Sequence, residues 1–437
     1  MFNSFGDHMC TQASRIEGQT LPPAVIPASA GRATKTDRSV RIRVVATILS
    51  AITLGATWFV AATWIHFSGM NALAWKIGPL LLVGSFVPAM ILNFRHKHPL
   101  LRALSVVSSA ALGLLNYAFA AAIICWLAAA VAWRWGLPLD PRVFTFALFG
   151  GAVLTTLYGL TNAARLRVTR AVVRLPNLPD AWQGRDIALV SDVHAGSIRA
   201  RRFVRRIVAR LNQLKPAAVF ISGDMLDGTK IDLGPVTQPW TDLEAPAGAY
   251  FVSGNHDEFS DSAPLLAALE RAGLRVLHNE KVEVEGLQIV GVHDHETHDP
   301  RNFQAILRRA QIDRRRPSVL LAHQPSNLNV PEEAGISLQL SGHTHGGQFW
   351  PWSWVVSKVH GRFAYGLNRL GGLQVFTSSG AGTWGPPLRV GTKSEIVLLR
   401  LMAGEIAGTP SDDLPMKTNL SREDRAGGYT VLTTHAH

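Results

Sequence analysis

Five short polar clusters lie between residues 190 and 348, each directly after an apolar run: Ser191-Asp192-Val193-His194, Gly223-Asp224-Met225-Leu226-Asp227, Gly254-Asn255-His256-Asp257, Ala322-His323-Gln324 and Gly342-His343-Thr344-His345. Their side chains offer carboxylate and amide oxygens and imidazole nitrogens without a thiolate, a donor set that suits Mn, Fe, Zn, Co or Ni better than a soft-metal site. Asp192 and His194, like His343 and His345, stand two residues apart at the end of an expected strand. Once the strand turns, the members of each pair can serve two metals or two sides of one. Two divalent ions sharing a carboxylate sit about 3.5–4 Å apart; together they bind a phosphoryl oxygen, activate a bridging water and stabilise the charge of an in-line attack. Two ligating aspartates leave two such ions with excess positive charge, which favours a phosphate over a neutral substrate. Taken singly, a His at a strand end is more often structural, and Gly-Asn-His-Asp could be a turn. All five occur together and in this order, each just after an apolar run.

The series resembles the calcineurin-like metallophosphoesterase superfamily, whose pattern is D-x-H, G-D, G-N-H-D/E, H and G-H-x-H, and no ligand position departs from it. The resemblance implies that Asp192, His194 and His345 hold one of two divalent ions, that Asn255, His323 and His343 hold the other, and that Asp224 bridges them. It also implies that His256 approaches the phosphoryl or leaving-group oxygen as a hydrogen-bond donor or general acid, with Asp257 orienting its imidazole. The implied fold is a β-sheet sandwich flanked by helices. Ser341-Gly-His-Thr-His-Gly-Gly-Gln348, Ser379-Gly-Ala-Gly and Pro386-Pro-Leu-Arg389 are similar to a membrane-anchored branch, transmembrane proteins with a C-terminal phosphoesterase domain. Some relatives there cleave the pyrophosphate of UDP-2,3-diacylglucosamine in lipid A synthesis.

Strands must end together to gather such residues. Asp186–Ser191, Ala218–Ser222, Tyr250–Ser253, Leu287–Val292, Ser318–Ala322 and Ser337–Ser341 read as strands, and Ala200–Leu214, Ala263–Ala272 and Asn302–Gln311 as helices between them. This alternation predicts a layered α/β domain over 179–403.

The first half has a different texture. Val44–Phe67, Ile77–Phe94, Ala103–Trp133 and Val143–Thr161 are apolar runs long enough, or nearly so, for the roughly 20 residues that a membrane-crossing helix needs. The third exceeds that length and should tilt or project. Trp64, Trp75, Trp133 and Trp135 stand near span ends, where indoles favour the interface. The first run begins too far into the chain and is too long for a cleaved signal, so the expectation is a permanent four-span transmembrane α-helical anchor over 44–164. Basic residues flank alternate ends: Arg32, Lys35, Arg38, Arg41 and Arg43; Arg95, Lys97 and Arg102; then Arg165, Arg167, Arg170 and Arg174. The opposite loops hold only Lys76, Arg134 and Arg142. Both termini and the α/β domain are therefore expected on the cytoplasmic side of a cell inner membrane.

The 437 residues are 47% apolar and 17% charged, which excludes a wholly disordered chain. Residues 1–43 and 404–437 read as disordered tails, the first basic. Two cysteines exclude a disulfide framework or a Cys-rich metal site, and Cys125 reads as a small buried hydrophobe. Much of the net charge of +12 flanks the apolar runs, so a phospholipid membrane explains it and nucleic acid is not expected as a partner.

Other residues bear on substrate. Arg199, Arg201, Arg202, Arg205, Arg206 and Arg210 crowd one helix, either to meet anionic headgroups or as a solvated face. Trp350, Trp352 and Trp354 follow the His-Thr-His run and could dip into the interface, line an acyl groove or pack a loop. Asp294 and Arg389 are further candidates for substrate contact, and Asp227 for support of the metal shell. The expected function is hydrolysis of a phosphodiester or pyrophosphate bond in a phosphorylated or nucleotide-linked lipid. Alternatives are a phosphodiesterase for soluble nucleotides and a non-catalytic membrane sensor; the oligomeric state stays open.

Overall fold

The computed structural model describes residues 35–404 except 97, 197–200, 229–230 and 260. Arg199, the tail from 405 and most of the tail before 44 lie outside the described residues. The chain begins with helices α1 (Lys35–Ser68), α2 (Leu73–Gly84), α3 (Phe86–Arg95), α4 (Pro99–Trp135) and α5 (Pro141–Ala163). They contain four segments long and apolar enough to cross a membrane: Thr47–Ser68, Leu73–Leu92, Pro99–Trp135 and Pro141–Ala163. The second is two helices meeting at Ser85, because Pro88 has no N–H to offer the Gly84 carbonyl. Gly136 ends α4 with φ 63°, a left-handed cap that glycine adopts without strain. Pro141 opens α5, and Asp140 Oδ1 accepts from the Arg142 N–H at 2.8 Å. Inside the bundle Trp126 Nε1 donates to Thr63 Oγ1 at 3.0 Å, and Trp64 packs edge-on against Phe146 and Phe149. Trp64 therefore turns inward rather than to the interface, while Trp133 and Trp135 are exposed.

From α5 the chain enters β1 (Leu166–Leu175), then β2 (Asp186–Val190), α6 (Arg201–Leu214), β3 (Ala218–Ser222), α7 (Leu233–Thr237), β4 (Ala249–Val252), α8 (Ala263–Arg271) and β5 (Arg275–Val276). There follow β6 (Glu280–Val284), β7 (Leu287–Val292), α9 (Asp294–Thr297), α10 (Pro300–Arg309), β8 (Ser318–Ala322), α11 (Asn329–Ala334) and β9 (Leu338–Ser341). The last elements are α12 (Trp352–His360), β10 (Gly366–Leu370), β11 (Leu373–Thr377) and β12 (Ser394–Ala403). Two six-stranded sheets result, in the orders β1-β12-β2-β3-β4-β5 and β10-β11-β9-β8-β7-β6. Leu189 and Phe220 of the first meet Leu321 and Leu340 of the second in a fully buried core. Val204, Ile207 and Leu211 of α6 cover the outer face of the first sheet; Phe303, Ile306 and Leu307 of α10 cover that of the second. The α/β domain is thus a β-sheet sandwich flanked by helices.

This domain begins earlier than residue 179. All of β1 pairs in parallel with β12, so sheet structure starts at Leu166. Thr169, Ala171, Val173 and Leu175 point inward from β1, and Arg170 and Arg174 alternate with them. Arginines that look like a membrane flank therefore belong to an edge strand, where charge also discourages pairing with another chain. The partner strand lies at the far end of the sequence, so nothing local reveals the pairing.

Register fixes where the site lies. Leu166 pairs with Ser394, and Val397 faces Leu189 in antiparallel β2. Back along β12 from Val397 and onward along β2 from Leu189, the start of β12 at Ser394 lies toward the end where Asp192 follows β2, and Ser394 Oγ donates to the Ala163 carbonyl at 3.0 Å. The C-terminal end of β2 therefore returns to the end of α5, and β3 and β4, parallel to β2, end on the same side.

Candidate metal centre

Each cluster sits just past a buried strand: Asp192 and His194 after β2, Asp224 after β3, Asn255 after β4, His323 after β8, and His343 and His345 after β9. The turns are sharp. Asp192, His194, Asp224, His343 and His345 all have φ between 46° and 70°, a left-handed backbone unfavourable for these residue types and held here by the surrounding packing. Gly254 lets two turns meet, since a Cβ there would fall 2.2 Å from Asp224 Oδ1. Gly380, at φ 83°, lets a third loop pass under Asp192, whose Cβ would be 2.7 Å from an added one.

Ligand-type atoms of Asp192, His194 and His345 lie within 4.8 Å of one another, as do those of Asp192, Asp224 and His323. His194 Nε2 is 3.0 Å from His345 Nε2 and 3.6 Å from Asp224 Oδ2, and His345 Nε2 is 3.5 Å from Asp192 Oδ1. Asn255 Oδ1 lies 3.1 Å from His323 Nε2 and 2.9 Å from His343 Nδ1. His323 Nδ1 donates to the Ser222 carbonyl at 2.7 Å, which leaves the Nε2 lone pair facing Asn255 Oδ1 and, at 3.3 Å, Asp224 Oδ2. A lone pair opposed by two acceptors needs a cation or a proton between them.

The charges make the same demand. Asp192 and Asp224 are buried, and their ion-pair partners are imidazoles only. Burial pushes the Asp192 carboxyl up. Burial opposes ionisation of Asp224 too, but the His323 charge and hydrogen bond, with His194 beyond, hold it well below the usual carboxylate range. Burial, then the charge of His194, drives His345 well down, and burial pushes His343 down to about 3. Against their burial, the Asp192 and Asp224 carboxylates, with Asp227 at His194, draw the His194 and His323 imidazoles up. Imidazoles and buried carboxylates whose ligand atoms converge with no Lys or Arg among them fit divalent cations. Asp227 Oδ1, 3.5 Å from His194 Nδ1, stands behind that imidazole, as second-sphere carboxylates do.

Asp257 does not contact the His256 ring. Its carboxylate accepts from the backbone N–H groups of Gly254 (3.0 Å), Met225 (3.2 Å) and Leu226 (3.0 Å), tying the turn after β4 to the one after β3. Burial, with Asp224 close by, pushes it up to about 7 against those donors. The His256 backbone N–H donates to Asp224 Oδ1 at 2.9 Å, while its Nδ1 has no hydrogen-bond partner among the described residues. Its ring stands edge-on to His194 at 4.7 Å, with Phe259 at 4.5 Å and Trp384 at 5.9 Å. Burial pushes this imidazole down to about 4.

Asp294 and Arg389, expected to contact substrate, are both enclosed by the protein. Asp294 is fully buried, with Oδ2 at 3.0 Å from His298 Nε2 and 3.2 Å from Gln324 Nε2. Arg389 is fully buried as well: Nη1 donates to the His345 carbonyl at 3.1 Å, and Nη2 to the Gly382 carbonyl at 2.7 Å, 3.4 Å from His345 Nδ1. An arginine in a Pro-Pro-Leu-Arg run gives no hint of burial. Its backbone is held by the bundle, its N–H donating to Gly159 O at 2.9 Å and its carbonyl accepting from Asn162 Nδ2 at 3.0 Å. Trp350 is exposed. Phe259 and Trp384 beside His256, and the wholly buried Glu395 that accepts from Ser379 N–H and Thr169 Oγ1, carry no motif that would have singled them out.

Residues 186–347 match the calcineurin-like phosphoesterase family. An uncharacterized metallophosphoesterase of Helicobacter pylori is 36% identical over 220 residues, 49% of this chain and 59% of that one. One of Campylobacter jejuni is 31% identical over 264 residues, covering 59% of this chain and 70% of its own. A Danio rerio transmembrane protein with metallophosphoesterase domain is 32% identical over 273 residues, 58% of this chain and 62% of that one. The chain thus spans 59% of the Helicobacter pylori protein's length.

Proposed function

The chain belongs to the calcineurin-like metallophosphoesterases, and from that premise we propose a membrane-anchored, two-metal hydrolase of phosphodiester or pyrophosphate bonds in a membrane-associated or lipid-linked substrate. The observation that carries the substrate class is the apolar rim beside His256. Phe259 and Trp384 are 52% and 57% exposed within ring-contact distance of it, at the end of the domain that meets the bundle. Water-soluble substrates do not require such a mouth, whereas an acyl-bearing one covers it. A nucleotide-linked diacyl sugar of the UDP-2,3-diacylglucosamine type is the favoured example.

In this reading Asp192, His194 and His345 hold one ion, Asn255, His323 and His343 the other, and Asp224 both. When bound, the ions supply charge stabilisation for the phosphoryl oxygens and an activated water. The chain's own residues do the rest. His256 offers a ring N–H to a phosphoryl or leaving-group oxygen, with its ring placed by His194 and Phe259. Asp257 fixes the two turns that carry Asp224 and Asn255, and Arg389 and Asp227 hold His345 and His194 in orientation. The active site faces the cytoplasm.

The test is an assay of full-length protein in detergent with Mn²⁺, comparing UDP-2,3-diacylglucosamine with bis-p-nitrophenyl phosphate and using Asp224→Ala as control. The expected result is metal-dependent cleavage of the lipid far above the generic ester, abolished in the variant. Cleavage of the generic ester alone would retain the phosphoesterase chemistry and sink the lipid substrate.

A further inference from the structure

Among the described residues of the α/β domain, every exposed large apolar side chain is Phe259, Trp384 or a member of the segment 350–359. Most of that segment is α12, which has no buried residue and exposes Trp352 (52%), Trp354 (60%), Val355 (38%) and Val359 (73%). A helix that lends nothing to its own domain's core has its apolar side chains available for something else. Its two ends are tied to different things. At the first, Asn116 Nδ2 donates to the Trp350 carbonyl at 3.3 Å and Trp352 Nε1 donates to Asn116 Oδ1 at 3.2 Å. Asn116 belongs to the segment Pro99–Trp135, long and apolar enough to cross a membrane, so this end of α12 is tied to the bundle. At the second, the His360 ring lies 6.2 Å from that of His343, at the metal centre.

The geometry points to α12 as an interfacial helix, seated in the leaflet that the bundle crosses and holding the metal centre against the lipid headgroups. The leaflet, rather than a protein, is the occupant because apolar side chains are exposed around α12 instead of lining a groove, and its first end is tied to α4, which itself exposes Phe119, Ile123 and Ile124. Indoles with a basic side chain beside them are interface chemistry: Lys358 Nζ lies 5.8 Å over the Trp354 ring. Basic charge also stands where the bundle meets the α/β domain. Arg206 Nη2 donates to the Ala164 carbonyl at 2.8 Å where α5 ends, with Arg202 and Arg205 exposed beside it for anionic headgroups. On the reading of the site as a lipid phosphoesterase, a substrate phosphate then reaches the metals along the membrane surface while its acyl chains stay in the bilayer.

The test measures depth. In full-length protein with Cys10→Ser and Cys125→Ala, nitroxide labels at Val355→Cys, Val359→Cys and Arg315→Cys are compared in vesicles of phosphatidylcholine and phosphatidylglycerol. Arg315 is the aqueous control: its side chain is 95% exposed and its carbonyl accepts from Asn177, beyond the end of β1 remote from the bundle. The expected result is a ratio of oxygen to nickel-chelate accessibility several-fold higher at 355 and 359 than at 315. Ratios equal to that at 315 would overturn the proposal. Low access to both reagents at 355 and 359 would mean that a second chain covers α12, and would overturn it equally. No turnover is involved, so failure here leaves the phosphoesterase reading standing and failure of that reading leaves this one standing.

Discussion

His256 and Asp257 are adjacent in sequence and act on different things. The first turns its ring to the mouth of the site between Phe259 and Trp384; the second turns its carboxylate inward to three backbone N–H groups. Replacing His256 by Ala removes a polar contact with substrate and no structural hydrogen bond of the ring. We expect unchanged metal content and melting temperature and a fall in kcat of about 10²–10⁴-fold. Asp257→Ala orphans buried N–H groups at a cost of about 1–3 kcal/mol each, so its first effect is on stability. Calorimetry on both variants beside their turnover separates the two roles. An Asp257→Ala protein that melts like the parent yet loses as much kcat as His256→Ala would restore an orienting role for the carboxylate. The clustering of the candidate ligand residues was legible in the sequence because each lies in a short local pattern at a strand end. The role of Asp257 was not, because its partners are backbone donors contributed by two separate turns.

Elements carry the next dependence. The loop before β12 threads between the bundle and the site: Leu388 packs where Gly113 of α4 and Gly159 of α5 have no side chain, and Asn162 Nδ2 reaches both the Arg389 and Thr392 carbonyls at 3.0 Å. From there the Arg389 guanidinium grips His345. The bundle is therefore part of what orients a proposed metal ligand. Arg389→Lys loses the planar fork that serves several carbonyls at once, and removal of second-sphere support lowers metal affinity by about 10–100-fold. Asn162→Ala, acting one step further out, should weaken Mn²⁺ binding in the same direction by less. Titration calorimetry of full-length protein in detergent reads both, and unchanged affinity in the two variants would show that the loop only packs. Strands β2, β3, β7 and β8 were readable as short apolar runs between turn residues. By contrast β1 and β12 were not, since an arginine-bearing edge strand and its partner become a pair only when the ends of the domain meet.

At the scale of the whole molecule, the site and the membrane are fixed to one another by register, so the orientation of the bundle decides which compartment the active site serves. With Arg167, Arg170 and Arg174 in β1, fewer basic residues flank the spans, but the sequence still sets Lys35, Arg38, Arg41 and Arg43 ahead of the first apolar run and Lys97 between the second and third, which keeps the bias. Arg95, Arg102 and Arg165 flank the bundle at the end that meets the α/β domain, joined there by Arg206 of α6. The other end has Lys76, Arg134 and Arg142, and Arg142 lies against Gly69, 3.3 Å from where a Cβ would be, which brings both outer loops to one face. Basic side chains are retained on the cytoplasmic side, so the domain-bearing end should be cytoplasmic. In cells carrying the Cys10→Ser chain, a membrane-impermeant maleimide should label Asn71→Cys and Leu139→Cys from outside, and Arg315→Cys only after the membrane is opened. The native Cys125 is buried among bundle helices and should contribute little signal. Labelling of Arg315→Cys in intact cells, with protection of the two loop positions, would invert the molecule and move its substrate to the opposite leaflet. Because α12 and the metal centre share the domain-bearing end, the same result would carry the interfacial helix with it, leaving its contact with lipid intact and changing only which lipids it meets.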